Sequence, residues 1–248
     1  MRRSAWIEGT AATLVGWLFF VSIPVLNGGL GLSWDALNHH IYLGWSAEGN
    51  RLAMDFWAAG SQSYQHPYLY WPAYKLMQAG ASGTLASVVL CTLNALIVPP
   101  LWIMSRQLIS GDGWVEVSTR LVCLALGLSS PLVISVVGTT SNDILSAMPM
   151  MWAIALLLPG SAKLYPSIFG GLLIGISIAF KLSNAPIAIA VPFLVLASSE
   201  NQRSKFSKLV ALGAFTLLGY LIAYLPWGLQ LLHHYGNFYY PIHPLDML

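Results

Sequence analysis

The chain has 248 residues, 56% of them hydrophobic and only 8% charged, with a formal net charge of +2. A soluble domain carries about 25% charged residues, so this composition and a mean hydropathy of +0.67 indicate a membrane protein whose fold answers to the bilayer. The small net charge gives no footing for nucleic acid. Both cysteines, Cys91 and Cys123, fall inside apolar runs, as packing residues do, and not in a disulfide or metal pattern.

The first predicted span covers residues 10–26, behind MRRSAW and ahead of the breaker PVLNGG. No small-residue cleavage site is evident after it, so it reads as a retained helix and not a signal peptide. Residues 83–105 form the second span, with a kink or an end expected at Pro99-Pro100. Residues 119–137 and 143–158 follow, separated by GTTSN. The apolar run from Leu164 to Ala197 is too long for one crossing. It carries Lys181 near its middle with Asn184-Ala185-Pro186 just after, and so predicts two helices meeting at a turn. The last span covers residues 208–226.

The expected fold is therefore all-α and membrane-embedded, a single module over residues 1–248. It has about seven transmembrane helices and a large membrane-lying outer loop, residues 27–82, between the first two. Lys and Arg collect on the cytoplasmic side of multi-span proteins. With the N-terminus inside, Arg2, Arg3, Arg106, Arg120, Lys163, Arg203, Lys205 and Lys208 share that side, and only Arg51, Lys75 and Lys181 face out. All six histidines (His39, His40, His66, His233, His234, His243) then face out, with Asp35, Glu48, Asp55, Asp143 and Asp246. The expected location is the plasma (inner) membrane, multi-pass, with any active face outside.

The loop at 27–82 is dense in aromatics (DFWAAGSQSYQHPYLYWPAY), which favour the headgroup region. Ser33 or Asp35 can cap a helix running to about Ala47, and the four-residue step from Asp35 puts His39 on the same face. His39 and His40, being adjacent, are expected on different sides of that helix. Asp35 is either a chemical group or a cap, and Asp143, after Ser141 and Asn142, is open to the same two readings. Lys181 is costly in a span unless it snorkels to the interface or meets an anion such as phosphate. Gly171 and Gly175 have the small-xxx-small spacing of close helix packing. An acid, a cation and aromatic faces on one side suit chemistry on a lipid phosphate. No H-x-x-x-H, GxGxxG, Walker A or GxSxG pattern occurs, which leaves metallohydrolase, nucleotide-cofactor and serine-hydrolase readings without support.

The segments SWDALNHH, AAGSQSYQHPYLYWPAY, SSPLVISVVGTTSNDILSAMPMMWAIAL, GGLLIGISIAFKLSNAP and YGNFYYPIHP together resemble the GT-C superfamily of integral-membrane glycosyltransferases, which use polyprenyl-phosphate sugars. The resemblance implies that Asp35 is the base, that Asp143 is a second acid which assists or helps hold a divalent metal, and that Lys181 faces the lipid phosphate. The substrate-binding residues it suggests are Lys181, His39, His40, Tyr64, His66 and Asn142. It implies a polyprenyl-phosphate sugar donor, membrane lipids, and a glycan, lipid or protein acceptor. Because the chain stops just past YGNFYYPIHP, the expectation is the N-terminal module of such an enzyme, either a shortened form or one that works with a partner subunit. The alternative is a lipid-linked sugar transporter or a non-catalytic membrane partner, with the same residues binding without chemistry.

Overall fold

The computed structural model describes residues 3–49, 51–161, 163–198 and 201–242. Arg2, His243 and Asp246, each assigned a side of the membrane from sequence, lie outside them. The described fold is all-helical, with one four-residue extended segment at Ala58–Ser61. Helix α1 (Arg3–Leu26) ends where the sequence places its breaker. Gly28 and Gly29 take positive φ (+85° and +129°), and the Gly29 N–H donates back to the Pro24 carbonyl at 2.7 Å, satisfying an end carbonyl.

A π-helical turn, Ala36–His40, leads into α2 (Ile41–Ser46), and α3 (Trp71–Gln78) follows further along the same segment. Helices α4 (Gly83–Asn94) and α5 (Val98–Leu108) join through a 3-10 turn, Ala95–Ile97, into one run. Pro99 and Pro100 sit in the first turn of α5, where a missing N–H costs least, so the helix tightens ahead of them and continues. The region 119–137, expected as one span, is divided into α6 (Trp114–Leu128) and α7 (Pro131–Val136). Ser130 precedes Pro131 and is extended (ψ 144°), as the proline ring requires of its predecessor, and its hydroxyl caps α7.

Helix α8 (Asp143–Leu157) and α9 (Tyr165–Phe180) are followed by a break at Lys181, whose backbone is extended. The chain then folds back through α10 (Ala185–Ala190) and α11 (Pro192–Leu196). The start of α9 at Pro166 and Ser167 and the end of α11 at Leu194 and Val195 line one small cleft, so the two arms form a hairpin. The long α12 (Gln202–Tyr235) exceeds the predicted 208–226 at both ends. Among the described residues, three stretches are long and apolar enough to cross a membrane: Ala5–Leu26, Gly83–Leu108 and Gln202–Tyr235. Asp143–Leu157, Tyr165–Phe180 and Leu182–Leu196 are shorter apolar helices.

The tightest seam joins α9 to α12. A Cβ on Gly175 would lie 2.0 Å from the Thr216 carbonyl oxygen, one on Gly171 2.5 Å from that of Leu212, and one on Gly219 2.2 Å from that of Leu172. The two backbones touch because these positions carry no side chain, the packing role the Gly171/Gly175 spacing suggests. Met150, Ala153, Ile174, Val191 and Leu212 fill the space between α8, α9, the α10–α11 arm and α12. Phe20, Cys91, Val98 and Ile144 form a second core where α1 meets α4, α5 and α8.

The bundle has two chemically distinct ends. At one, Gln107 Nε2 donates to the Ala155 carbonyl and ties the end of α5 to the end of α8. Arg106, Arg120, Lys163, Lys205 and Lys208 gather there. Arg120 is fully buried and grips Glu8 through Nε and Nη2, both at 2.7 Å. Its Nη1 donates to the carbonyls of Ile109 (2.7 Å) and Gly111 (3.0 Å). Arg106 (2.8 Å) and Trp102 Nε1 (3.1 Å) complete the Glu8 carboxylate, and Arg106 also pairs with Asp112. The opposite end carries the loop 27–82, the start of α8 and the break after α9.

Candidate functional site

At this second end the 27–82 segment is tied down at several points. Gly31 N–H donates to the Gly138 carbonyl (2.9 Å), next to an isolated parallel bridge with Thr139, which joins the chain after α1 to the turn before α8. Further along, Trp227 Nε1 donates to the Tyr64 carbonyl (3.0 Å) and Tyr235 to that of Leu52 (2.9 Å), docking the segment on the end of α12. Between these anchors are two adjoining cavities of about 370 and 290 Å³, with Gln65 and Lys181 in the walls of both.

The smaller cavity is lined by Asp35, His39, His40, Asp143 and Lys181, the larger by Tyr64, His66, Asn142 and Lys181. All eight sequence candidates therefore line one or other of two cavities that share Gln65 and Lys181. Ser33, and not Asp35, makes the helix-start contact, its Oγ accepting the Ala36 N–H at 3.1 Å, and Asp35 makes no cap bond. The Asp35 carboxylate is half exposed, 3.8 Å from His39 Nδ1 on the same face, beyond hydrogen-bond reach. Asp143 opens α8 and forms an ion pair with Lys181, while the Ser141 hydroxyl donates to its other oxygen at 2.5 Å. An acid in the first turn also suits the helix dipole. The Lys181 ammonium thus meets an anion within the protein, the carboxylate of Asp143.

The expectation that His39 and His40 point to different sides does not hold. Their ring centroids are 4.4 Å apart, and both side chains are buried in the smaller cavity's wall. They lie on the π-helical turn, a form with one extra residue per turn that recurs at functional sites. His40 shares a 2.8 Å hydrogen bond with Thr140 Oγ1 and stacks on Tyr70 at 4.6 Å. Burial, helped by the neighbouring His39, pushes His40 down to about 4, and burial also lowers His39. Both rings are neutral at pH 7.

In the larger cavity, His66 Nε2 lies 3.3 Å from the Ala223 carbonyl. A carbonyl only accepts, so Nε2 holds the proton and Nδ1 is a bare acceptor, and it has no partner. Burial pushes this ring down to about 4. Asn142 is 3% exposed and its Oδ1 is also unpartnered. Tyr220, Tyr224 and Tyr239 form the aromatic wall, with Tyr224 stacked between the other two at 5.2 and 5.7 Å. These three, together with Tyr70, Gln65 and Thr140, are site residues that sequence reasoning missed. A four-residue tyrosine step near the end of an apolar helix, Tyr220 to Tyr224, is the signal that was there to read.

Asn184 is the residue at the start of α10, and its side chain is buried. Its Nδ2 donates to the carbonyls of Ser146 and Ser177 and to Ser177 Oγ, all at 3.1 Å, stitching the hairpin to α8. Among the described residues no three His, Cys, Asp or Glu side chains are grouped to hold a metal ion. Comparison with known proteins finds no matching family model, no similar curated protein and no solved structure of similar fold.

Proposed function

We propose that the protein is a membrane glycosyltransferase that moves a sugar from a polyprenyl-phosphate donor to a hydroxyl of a glycan, lipid or protein acceptor at the outer face of the plasma membrane. One observation carries this reading: Asp35, free of the capping duty that Ser33 performs, presents an uncommitted carboxylate to a cavity that Lys181 also lines. Asp35 takes the proton of the acceptor hydroxyl as its oxygen bonds to the anomeric carbon. The bond from that carbon to the phosphate oxygen breaks with inversion, and polyprenyl phosphate leaves with the electron pair. An ammonium has three N–H donors, and the pair with Asp143 leaves others for the departing phosphate. Asp143 positions Lys181. The resemblance to GT-C enzymes in the SWDALNHH and GTTSND segments supports the same roles.

The topology that goes with this reading has seven spans: α1, α4–α5, α6–α7, α8, α9, α10–α11 and α12. The basic Arg120 end then faces the cytoplasm and the cleft faces out. Helices α8 and α9, with 15 and 16 residues, rise only about 23 Å, short of a hydrocarbon core of roughly 30 Å. Their outer ends would lie below headgroup level, where Lys181 can meet a lipid-borne phosphate. The closed Lys181–Asp143 pair, which satisfies both charges without a ligand, favours a second reading as a transporter or non-catalytic partner subunit.

The test is binding of polyprenyl phosphate to wild type, Lys181→Arg and Lys181→Met in nanodiscs, with mass spectrometry of the co-purified lipid. A charge-assisted hydrogen bond contributes about 1.5–3 kcal/mol, so Lys181→Met should bind roughly 10- to 100-fold more weakly, with Arg intermediate. Unchanged affinity in the Met variant removes Lys181 from the phosphate site.

A further inference from the structure

The basic end of the bundle is neutralised on one side more than on the other. On the α5–α6 side, Arg106 and Arg120 meet the carboxylates of Glu8 and Asp112. On the α9–α12 side the sequence supplies four cations, Lys163, Arg203, Lys205 and Lys208. Between Asp143 and Asp246 it supplies one acid, Glu200, which lies outside the described residues. Lys205 donates to the Leu196 carbonyl at 2.8 Å and Lys208 to that of Ser161, so each ties down a turn at this end. A carbonyl partner leaves the positive charge in place. Lys163 reaches over the Tyr165 ring, 5.9 Å from its centroid, and Arg203 is exposed.

A groove of about 350 Å³ opens among these charges. One wall is Leu164, at the start of α9, and the other is Asn201, Arg203, Ser204, Ser207 and Lys208, along the first turns of α12. Arg203 and Ser207 are four residues apart, as are Ser204 and Lys208, so the two pairs make adjacent rows on one helix face. That face presents cations and hydroxyl donors, with no carboxylate among the described residues lining the groove. Close by along the same two helices, Tyr165, Phe169, Phe206 and Val210 are exposed, and this stretch of α12 is apolar enough to cross a membrane. A small anion from solution would engage the charge alone. Apolar side chains flanking the charge fit a ligand that carries acyl chains as well.

We propose that the groove between the starts of α9 and α12 binds the headgroup of an anionic phospholipid, with its acyl chains along Phe206 and Val210. The Arg203 guanidinium matches two phosphate oxygens at once, the Ser204 and Ser207 hydroxyls can donate to the same group, and Lys163 adds charge at the rim. Basic pockets between helix ends at a membrane surface hold such headgroups. The groove is at the end of the bundle opposite the two cavities, so the site does not depend on the transfer reaction.

The experiment is native mass spectrometry of the full chain in detergent, titrated with phosphatidylglycerol or with phosphatidylcholine of the same acyl chains. The wild type should bind phosphatidylglycerol more tightly, and the preference should narrow as ionic strength rises, because the charges are exposed. A cation beside an anionic lipid surface contributes roughly fivefold in affinity. The Lys163→Gln, Arg203→Gln double variant should therefore bind phosphatidylglycerol about 25-fold more weakly, with phosphatidylcholine binding unchanged. Lys163→Arg, Arg203→Lys keeps both charges and should keep the preference. Arg51→Gln, Lys75→Gln makes the same change in net charge at the opposite end and should bind phosphatidylglycerol as the wild type does. Equal uptake of the two lipids by the wild type overturns the proposal, as does undiminished binding by the folded Lys163→Gln, Arg203→Gln protein or an equal loss in the opposite-end variant. Glycerophosphoglycerol, the same headgroup without acyl chains, should bind far more weakly than the lipid. Binding as tight as the lipid's would overturn the lipid assignment in favour of a soluble phosphodiester.

Discussion

Gly175→Ala adds one methyl group to the α9–α12 seam, and the structure says how far the helices must move to accept it. The new Cβ would lie 2.0 Å from the Thr216 carbonyl oxygen, 2.4 Å from the Tyr220 nitrogen and 2.9 Å from the Gly219 carbonyl carbon, all backbone atoms that cannot rotate aside. Ordinary contact begins near 3.4 Å, so α12 must retreat by about 1.4 Å at its nearest point. A gap of 0.5–1 Å already forfeits roughly a quarter to a half of each dispersion contact it opens. Overpacking commonly costs about 1–3 kcal/mol, and rigid backbone on both sides puts this site at the top of that range. At roughly 2–4 °C per kcal/mol for a chain of this size, the melting temperature should fall by about 6–12 °C. The same retreat moves Tyr220 and Tyr224 away from Phe180 and Lys181, opposing walls of the larger cavity, so ligand binding should weaken in the folded fraction. Gly213→Ala, on the same helix with nothing within 4 Å of its Cβ, is the control and should melt with the wild type. The assay is thermal unfolding in detergent, read by size-exclusion chromatography. A Gly175→Ala protein that melts with the wild type would refute the claim that backbone contact holds this seam.

Two further outcomes follow from other parts of the molecule. Arg120→Met leaves the Glu8 carboxylate without its two 2.7 Å bonds and should cost roughly 3–5 kcal/mol, whereas the Glu8→Gln, Arg120→Met double variant should regain much of that. Strict additivity in a double-mutant cycle of melting temperatures would show that the pair is not coupled. His40 and His66 are held near 4 by burial against an ordinary 6.5. The unfolded segment therefore binds more protons than the folded one between those values, so stability is complete above about pH 6.5 and falls as pH drops towards 4. Each histidine contributes a slope approaching 1.4 kcal/mol per pH unit. A melting temperature that is flat from pH 7 to 5, or a His66→Phe variant with an undiminished slope, would contradict this.

Local chemistry was legible in the sequence and long-range geometry was not. The NGG stop after α1, the break at Lys181 and the glycine seam each follow from a backbone property of the residues at that place. The gathering of Asp35, Asp143 and Lys181 at one end follows from sorting charge between spans. The break inside 119–137 comes from Pro131, whose constraint on Ser130 outweighed the apolar run around it. The meeting of His39 and His40 depends on a π turn, which has no periodicity signal in so short a segment. The Glu8–Arg120 clamp joins residues more than a hundred positions apart, and Lys181 finds Asp143 across 38. Neither pairing has a sequence spacing to betray it. The tyrosine wall was obscured because interfacial tyrosines also serve as membrane anchors.

The central claim, that Asp35 is the base of a glycosyl transfer, is tested most directly by turnover of polyprenyl-phosphate sugars by Asp35→Asn and wild-type protein in nanodiscs, measured as polyprenyl phosphate released. Asp35 makes no cap bond and is half exposed, so the variant should fold and melt as the wild type does. Its turnover should fall by about 10²- to 10⁴-fold, the range for removal of a general base. Wild-type turnover in a folded Asp35→Asn protein, or a loss of turnover matched by loss of folded protein, would contradict the account.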